Sequence, residues 1–273
     1  MPPMTTANPP EAAAQGAKQD AGGEPMTFFE HLTELRKRII NSLLAIAVGA
    51  FIGVGISKYV IEYFTKPMLK ALAEFHLEQK LIYTNPTGYL NLIITLGLYI
   101  GLVIASPVVL HQIWLFVAPA LYKHEQKAVV GFLTSTVFLF LAGIAFGYFV
   151  MLPYVLRFLI SFQGPVQPLI SINEYFDLTL MVLLGLGIVF ELPILIFFLS
   201  LFGIVTPAFL WKNFRYAILI ISIIAAVVTP TPDAMTMLIF MAPMVLLYFI
   251  GIAVSAVVVK RKREREMARA GAP

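Results

Sequence analysis

Residues 178–201 read LTLMVLLGLGIVFELPILIFFLSL, a run of 24 positions broken by one charge, Glu191, and one proline, Pro193. A helix that crosses a hydrocarbon core about 30 Å thick needs about 20 mainly apolar residues, so this stretch is long enough to span. Five further runs carry the same signature. Ile39–Ile56 is closed by Ser57-Lys58, and Tyr89–Leu110 continues past Pro107 as a less apolar extension to Ala120. Ala128–Met151 is ended by Pro153, Tyr216–Val228 is stopped by Thr229-Pro230-Thr231-Pro232, and Ala234–Val259 runs into Lys260-Arg261-Lys262-Arg263. None shows the inside/outside alternation over about 10 residues that a barrel strand requires. The expected fold is an all-α integral membrane protein with six transmembrane helices, the fifth short and the sixth short in its membrane part.

Composition agrees. Of 273 residues, 59% are hydrophobic and 12% charged, against about 45–50% and about 25% in soluble domains. Zero cysteines exclude a disulfide scaffold, a thiolate metal site and a cysteine nucleophile. The net charge of +4 is small, and the aromatics sit inside apolar runs, so a nucleic-acid surface is not expected. No metal site and no cofactor is read from the chain.

Three domains are expected: a disordered tail over 1–25, the six-helix membrane domain over 26–259, and a basic cytoplasmic tail over 260–273. The first 25 residues are rich in Pro, Ala, Gly and Gln and carry no aromatic. They lack the apolar core of a secretory signal and the arginines of an organellar transit peptide. No internal repeat is visible. Fourteen of the 19 Lys and Arg fall in the N-terminus, the 111–127 and 202–215 loops and the C-tail. The positive-inside bias therefore puts both termini in the cytoplasm, with 57–88 and 152–177 outside. The fifth run has thirteen residues, reaching about 20 Å. Phe214 and Leu210 could lengthen it.

Glu191 is the only charge well inside a span, and no Lys or Arg lies at similar depth. Such an acid must be met by water, by its own proton or by a polar group of another helix. Pro193 removes a helix hydrogen bond beside it and frees the carbonyl of Val189. At the other end of the chain, Thr27 and Glu30 have the spacing of a capping box that starts a helix. Glu34 follows, then Arg36, Lys37 and Arg38, and a Glu34–Arg38 pair at i, i+4 is the plain structural reading. Glu125, next to Lys123 and His124, lies on the same side in the 111–127 loop. Two carboxylates among bases could receive two guanidinium groups, each through a planar bidentate contact.

His31-Leu-Thr-Glu-Leu-Arg-Lys-Arg38 resembles the start of the first helix in the TatC family, the multi-spanning subunit of the twin-arginine protein translocase. Phe116-Val-Ala-Pro-Ala-Leu-Tyr-Lys-His-Glu125 resembles that family's first cytoplasmic loop. Phe190-Glu-Leu-Pro193 is similar to its glutamate-bearing fourth helix, and Thr229-Pro-Thr-Pro-Asp233 to the turn between its last two helices. The likeness runs in order from about Thr27 to Val259, with a longer N-terminal tail and a short C-tail as departures. It implies a non-enzymatic receptor in the inner membrane for folded precursors with twin-arginine signal peptides. Glu34 and Glu125 would hold the arginine pair, with Arg36, Lys123 and His124 in the same site. Glu191 would be where single-span TatA- and TatB-type subunits dock, and self-association in a larger complex is implied. Pro67, Phe116, Tyr148 and Asp233 match further family positions. An enzyme is disfavoured: there is no GxSxG or HExxH motif, and the four histidines are dispersed. The alternative is a proton-coupled small-solute transporter that uses Glu191, although no second central acid or base accompanies it.

Overall fold

The computed structural model describes residues 28–117, 126–162, 168–229 and 233–270. They form α1 (Phe28–Glu74), α2 (Gly88–Val117), α3 (Gln126–Phe146), α4 (Leu152–Ser161), α5 (Ile172–Val189), α6 (Leu192–Leu201), α7 (Pro207–Lys212), α8 (Phe214–Val228) and α9 (Ala234–Ala270). A π turn, Gly147–Met151, joins α3 to α4. Five passes are long and apolar enough to cross a membrane: α1, α2, α3 with α4, α5 with α6, and α9. The sixth is α8, whose 15 residues reach about 22 Å. The chain is an all-helical six-span membrane protein. Phe214 does lengthen the fifth span, whereas Leu210 belongs to the separate α7.

Three boundaries differ from the sequence expectation. The first helix does not stop at Ser57-Lys58 but runs to Glu74. Beyond the bilayer-length stretch it is amphipathic: Lys58, Glu62, Lys66 and Lys70, four apart, are exposed, while Met68, Ala71 and Leu72 are buried. Charges that read as a terminus in a hydropathy scan are one face of a continuing helix. Pro153 does not end the third span either. The π turn absorbs it, with the Leu152 N–H donating to the Gly147 carbonyl, five residues back, so the helix continues to Ser161. The 57–88 and 152–177 connections are therefore largely helical. Finally, the basic segment after Val259 continues α9 to Ala270.

Membrane helices gain little from apolar burial against one another, since lipid is equally apolar; close backbone approach and hydrogen bonds hold them. The α1–α2 hairpin shows this. Gly49 and Gly53 on α1 face Gly101 and Gly97 on α2. A Cβ on Gly49 would stand 2.5 Å from the Gly101 carbonyl oxygen, and one on Gly53 would strike the Gly97 carbonyl. A Cβ on Gly143 of α3 would lie 2.6 Å from the Leu186 carbonyl of α5. Between α6 and α9, Gly251 receives the Ile196 side chain, and the buried Ser200 hydroxyl donates to Ser255 Oγ at 2.7 Å.

The side opposite the termini is cross-linked by polar contacts. Ile82 donates its N–H to the Ile170 carbonyl and Ile172 donates to the Ile82 carbonyl, both at 3.0 Å. Arg157 on α4 grips Glu74 at the end of α1 through two bonds of 2.6 and 2.9 Å. Below this cap lies a core that includes Leu72, Leu96, Leu152, Tyr175 and Phe176. A second core, with Leu186, Ala225, Phe240 and Met244, joins α5 to α8 and α9.

The glycine contact makes a sharp prediction. Gly53→Val should destabilise the protein by about 1–3 kcal/mol, the usual range for forced overpacking. Gly55→Ala, whose added Cβ would meet nothing within 4 Å, should be neutral or stabilise by up to about 1 kcal/mol. Titration of the detergent-solubilised protein with dodecyl sulfate measures both; equal losses would refute the packing argument.

Candidate functional site

On the terminal side, the first turns of α1 carry Glu34, Arg36 and Arg38. Glu34 and Arg38 share a face, one turn apart, and Arg38 Nη2 donates to Glu34 Oε1 at 2.9 Å. The pair expected from spacing is present. The other fork of Arg38 was not expected: Nη1 donates to Gln112 Oε1 of α2 at 3.2 Å. Both side chains are largely shielded, with 23% of Arg38 and 19% of Glu34 exposed. Arg36, two residues from Glu34, is exposed on a different face. Phe116 is half-buried in the last turn of α2. Two residues earlier Trp114 stacks on Phe198 of α6, with ring centroids 4.1 Å apart. Lys123, His124 and Glu125 lie outside the described residues, as does Thr27.

Glu191 occupies the break between α5 and α6. Pro193 has no N–H for the Val189 carbonyl, so the helix cannot continue without a fault there. The chain makes a tight turn: the Glu191 N–H donates to Ile188 at 3.0 Å, and the Glu191 carbonyl accepts from Ile194 and Leu195 at 3.0 and 2.9 Å. The side chain caps nothing. Both carboxyl oxygens are shielded and take no hydrogen bond from any described residue. A carboxyl at that depth without a polar partner is costly, by about 2.5–3.5 kcal/mol on insertion scales.

Pro67 and Tyr148 prove to be one feature. Pro67 sits inside α1 and deprives the Tyr63 carbonyl of its N–H donor. The Tyr148 hydroxyl, projecting from the π turn, donates to that carbonyl at 3.2 Å. Its ring stacks on Tyr63, centroids 5.4 Å apart, and leans on Phe64 at 4.8 Å. The neighbouring Phe64 carbonyl accepts from the Tyr175 hydroxyl. Asp233 caps α9, with Oδ1 accepting the Thr236 N–H at 2.7 Å.

A family model described as TatC, Sec-independent protein translocase protein, matches residues 30–243. The chain belongs to the TatC family. A TatC of Koribacter versatilis is 49% identical over 245 residues, covering 89% of this chain and 90% of its own. A TatC of Aquifex aeolicus is 37% identical over 246 residues, covering 89% of this chain and all of its own. A crystal structure described as the twin arginine translocase receptor TatC is 37% identical, with a TM-score of 0.74 over 84% of this chain and 99% of the other. The TatC fold, the multi-pass inner-membrane location and a non-enzymatic part in protein translocation follow from this membership.

Of the sequence-derived candidates, Glu34 and Arg36 share the terminal end of α1, and Glu191 stands apart in the α5–α6 break. Pro67 and Tyr148 belong to the opposite side, and Asp233 to the α8–α9 connection. Gln112 and the glycine pairs escaped the sequence reading. The Gly-x-x-x-Gly spacing at 49–53 and 97–101 was the available signal for the pairs; nothing in the sequence signalled Gln112.

The proline–tyrosine feature is testable by a double-mutant cycle. Tyr148→Phe should cost about 1–3 kcal/mol, the penalty of an unpaired buried carbonyl. In a Pro67→Ala background, where Tyr63 regains its helical donor, the same change should cost only a few tenths. Thermal unfolding in detergent reads both, and a cost unchanged by Pro67→Ala would reject the link.

Proposed function

We propose that this TatC chain binds the paired arginines of signal peptides on folded precursor proteins at its cytoplasmic face, and recruits single-span TatA- and TatB-type subunits through Glu191. Glu34 and Glu125 are the arginine acceptors, with Arg36, Lys123 and His124 in the same site. The observation that carries the reading is the shielded Glu34 carboxylate already holding a guanidinium at 2.9 Å. The twin arginine translocase receptor with the same fold supports it, and so does the bias of Lys and Arg toward the terminal side. A bidentate contact suits guanidinium and not ammonium, which gives a reason for arginine over lysine. Self-association within a larger assembly belongs to the same proposal, because one bundle of this size offers no path for a folded cargo.

Binding of a labelled twin-arginine peptide to inverted and right-side-out vesicles tests recognition and orientation together. Only inverted vesicles should bind. Glu34→Ala and Glu125→Ala should each cost about 1.5–3 kcal/mol, and the two losses should not add if both acids hold one dipeptide. A double variant that still preferred Arg-Arg over Lys-Lys would sink the assignment.

Glu191 meets a polar group of a partner helix in this proposal, through a hydrogen bond rather than an ion pair. Glu191→Gln should keep crosslinking to the single-span subunits and keep transport, whereas Glu191→Ala should weaken both and leave peptide binding intact. Transport lost in the Gln variant with docking unchanged would favour a proton relay instead, since an amide cannot pass a proton on.

A further inference from the structure

We propose that Arg38 is an internal occupant of the arginine site: it sits on Glu34 while no peptide is bound, yields that carboxylate to the incoming guanidinium, and stays held by Gln112. The proposal rests on the reading of Glu34 as an arginine acceptor.

Three observations carry it. First, Arg38 uses different nitrogens for its two partners, Nη2 for Glu34 at 2.9 Å and Nη1 for Gln112 at 3.2 Å. Losing the first bond does not require losing the second, and the second anchor lies on another helix. Second, the Glu34 contact is a single end-on bond, because Glu34 Oε2 and Arg38 Nε are both shielded and unbonded. A guanidinium presented side-on would make two parallel bonds to the same carboxylate, the stronger arrangement. Third, Arg38 occupies Oε1 and Oε2 is closed to solvent, so in this arrangement no incoming guanidinium can take both oxygens.

The consequence is an affinity set by exchange rather than by capture. A site whose ligand-competent form is only a fraction of the population binds more weakly by that fraction. Arg38 supplies that competition and keeps Glu34 from standing as an unpaired, shielded anion when the site is empty. On peptide release it restores its bond to Glu34 by a change in its own side chain while Gln112 still holds it.

The test is fluorescence anisotropy of a labelled twin-arginine peptide against the full-length, detergent-solubilised chain. Arg38→Gln should tighten binding by about two- to tenfold. Lys37→Gln, the same charge change at an exposed neighbour, should leave it unchanged. Gln112→Ala, which loosens the α1–α2 link without freeing Glu34, should give no gain. Arg38→Lys reaches only one partner at a time and should give a smaller gain in the same direction, which keeps the test available if the Gln variant does not fold. In a Glu34→Ala background the Arg38→Gln gain should vanish. Unchanged or weaker binding in Arg38→Gln would overturn the proposal, pointing to a shared Arg–Glu–Arg arrangement. An equal gain in Lys37→Gln or Gln112→Ala, or a gain that survives without Glu34, would also overturn it. If Glu34→Ala alone binds like the parent, the arginine-acceptor reading of Glu34 has failed; if it loses binding and Arg38→Gln gains nothing, only the occupant has.

Discussion

Hydrocarbon offers no hydrogen-bond partner to a backbone carbonyl, and each proline inside a membrane helix leaves one carbonyl without its N–H. Pro107 and Pro193 raise that shortage within the spans, Pro67 and Pro153 raise it in the helical segments on the side opposite the termini, and Pro243 lies inside α9. At Pro67 the freed carbonyl takes the Tyr148 hydroxyl from another helix. At Pro107 the carbonyl four residues back, Val103, accepts from the Ser106 hydroxyl at 2.8 Å, a repair within the same turn. At Pro153 the helix widens into a π turn, and at Pro193 it breaks and restarts. The four solutions differ in what they leave behind. The first locks two helices together, the second and third allow a helix to run on, and the fourth places a carboxyl at a fault inside the bundle.

That fault and the Glu34 pair show why charge is tolerated here. Among the described residues, Glu34 is matched by Arg38 of its own helix, which is itself tied across to α2, whereas Glu191 is matched by nothing. A buried pair is stable only as a pair, and removing one partner costs far more than removing both. The two acids therefore stand in different states: one is paired within the chain, and the other has no polar partner among the described residues. The cap opposite the termini has the reverse character, since its Glu74–Arg157 grip and its paired backbone at Ile82 and Ile170 are closed within the chain.

The spans were legible because a bilayer imposes length and composition together, and no soluble alternative shares that signature. Their ends were not. Lys58 and Pro153 look like stop signals because hydropathy has no memory of helical phase; the apolar residues at 68, 71 and 72 carry the phase information that a window average discards. The candidate acids could be read because an acid in or beside a span is rare. Their partners could not, since the Arg38–Gln112 bond joins positions 74 apart in sequence, and only the bend and register of two helices decide it. Asp233, matched by resemblance alone, acquires a plain structural role as a helix cap.

The glycine contact between α1 and α2 has a bearing on biogenesis. Every atom of that seam, and the Arg38–Gln112 tie at its end, is contributed by the first 117 residues. Closure of the hairpin needs nothing that the ribosome makes later. The nascent chain can therefore settle its first two spans in lipid as a finished unit, with the Glu34 carboxylate already covered, before the glutamate of the fourth span is synthesised. The acid paired within the chain is made first, and the acid without a polar partner among the described residues is made later.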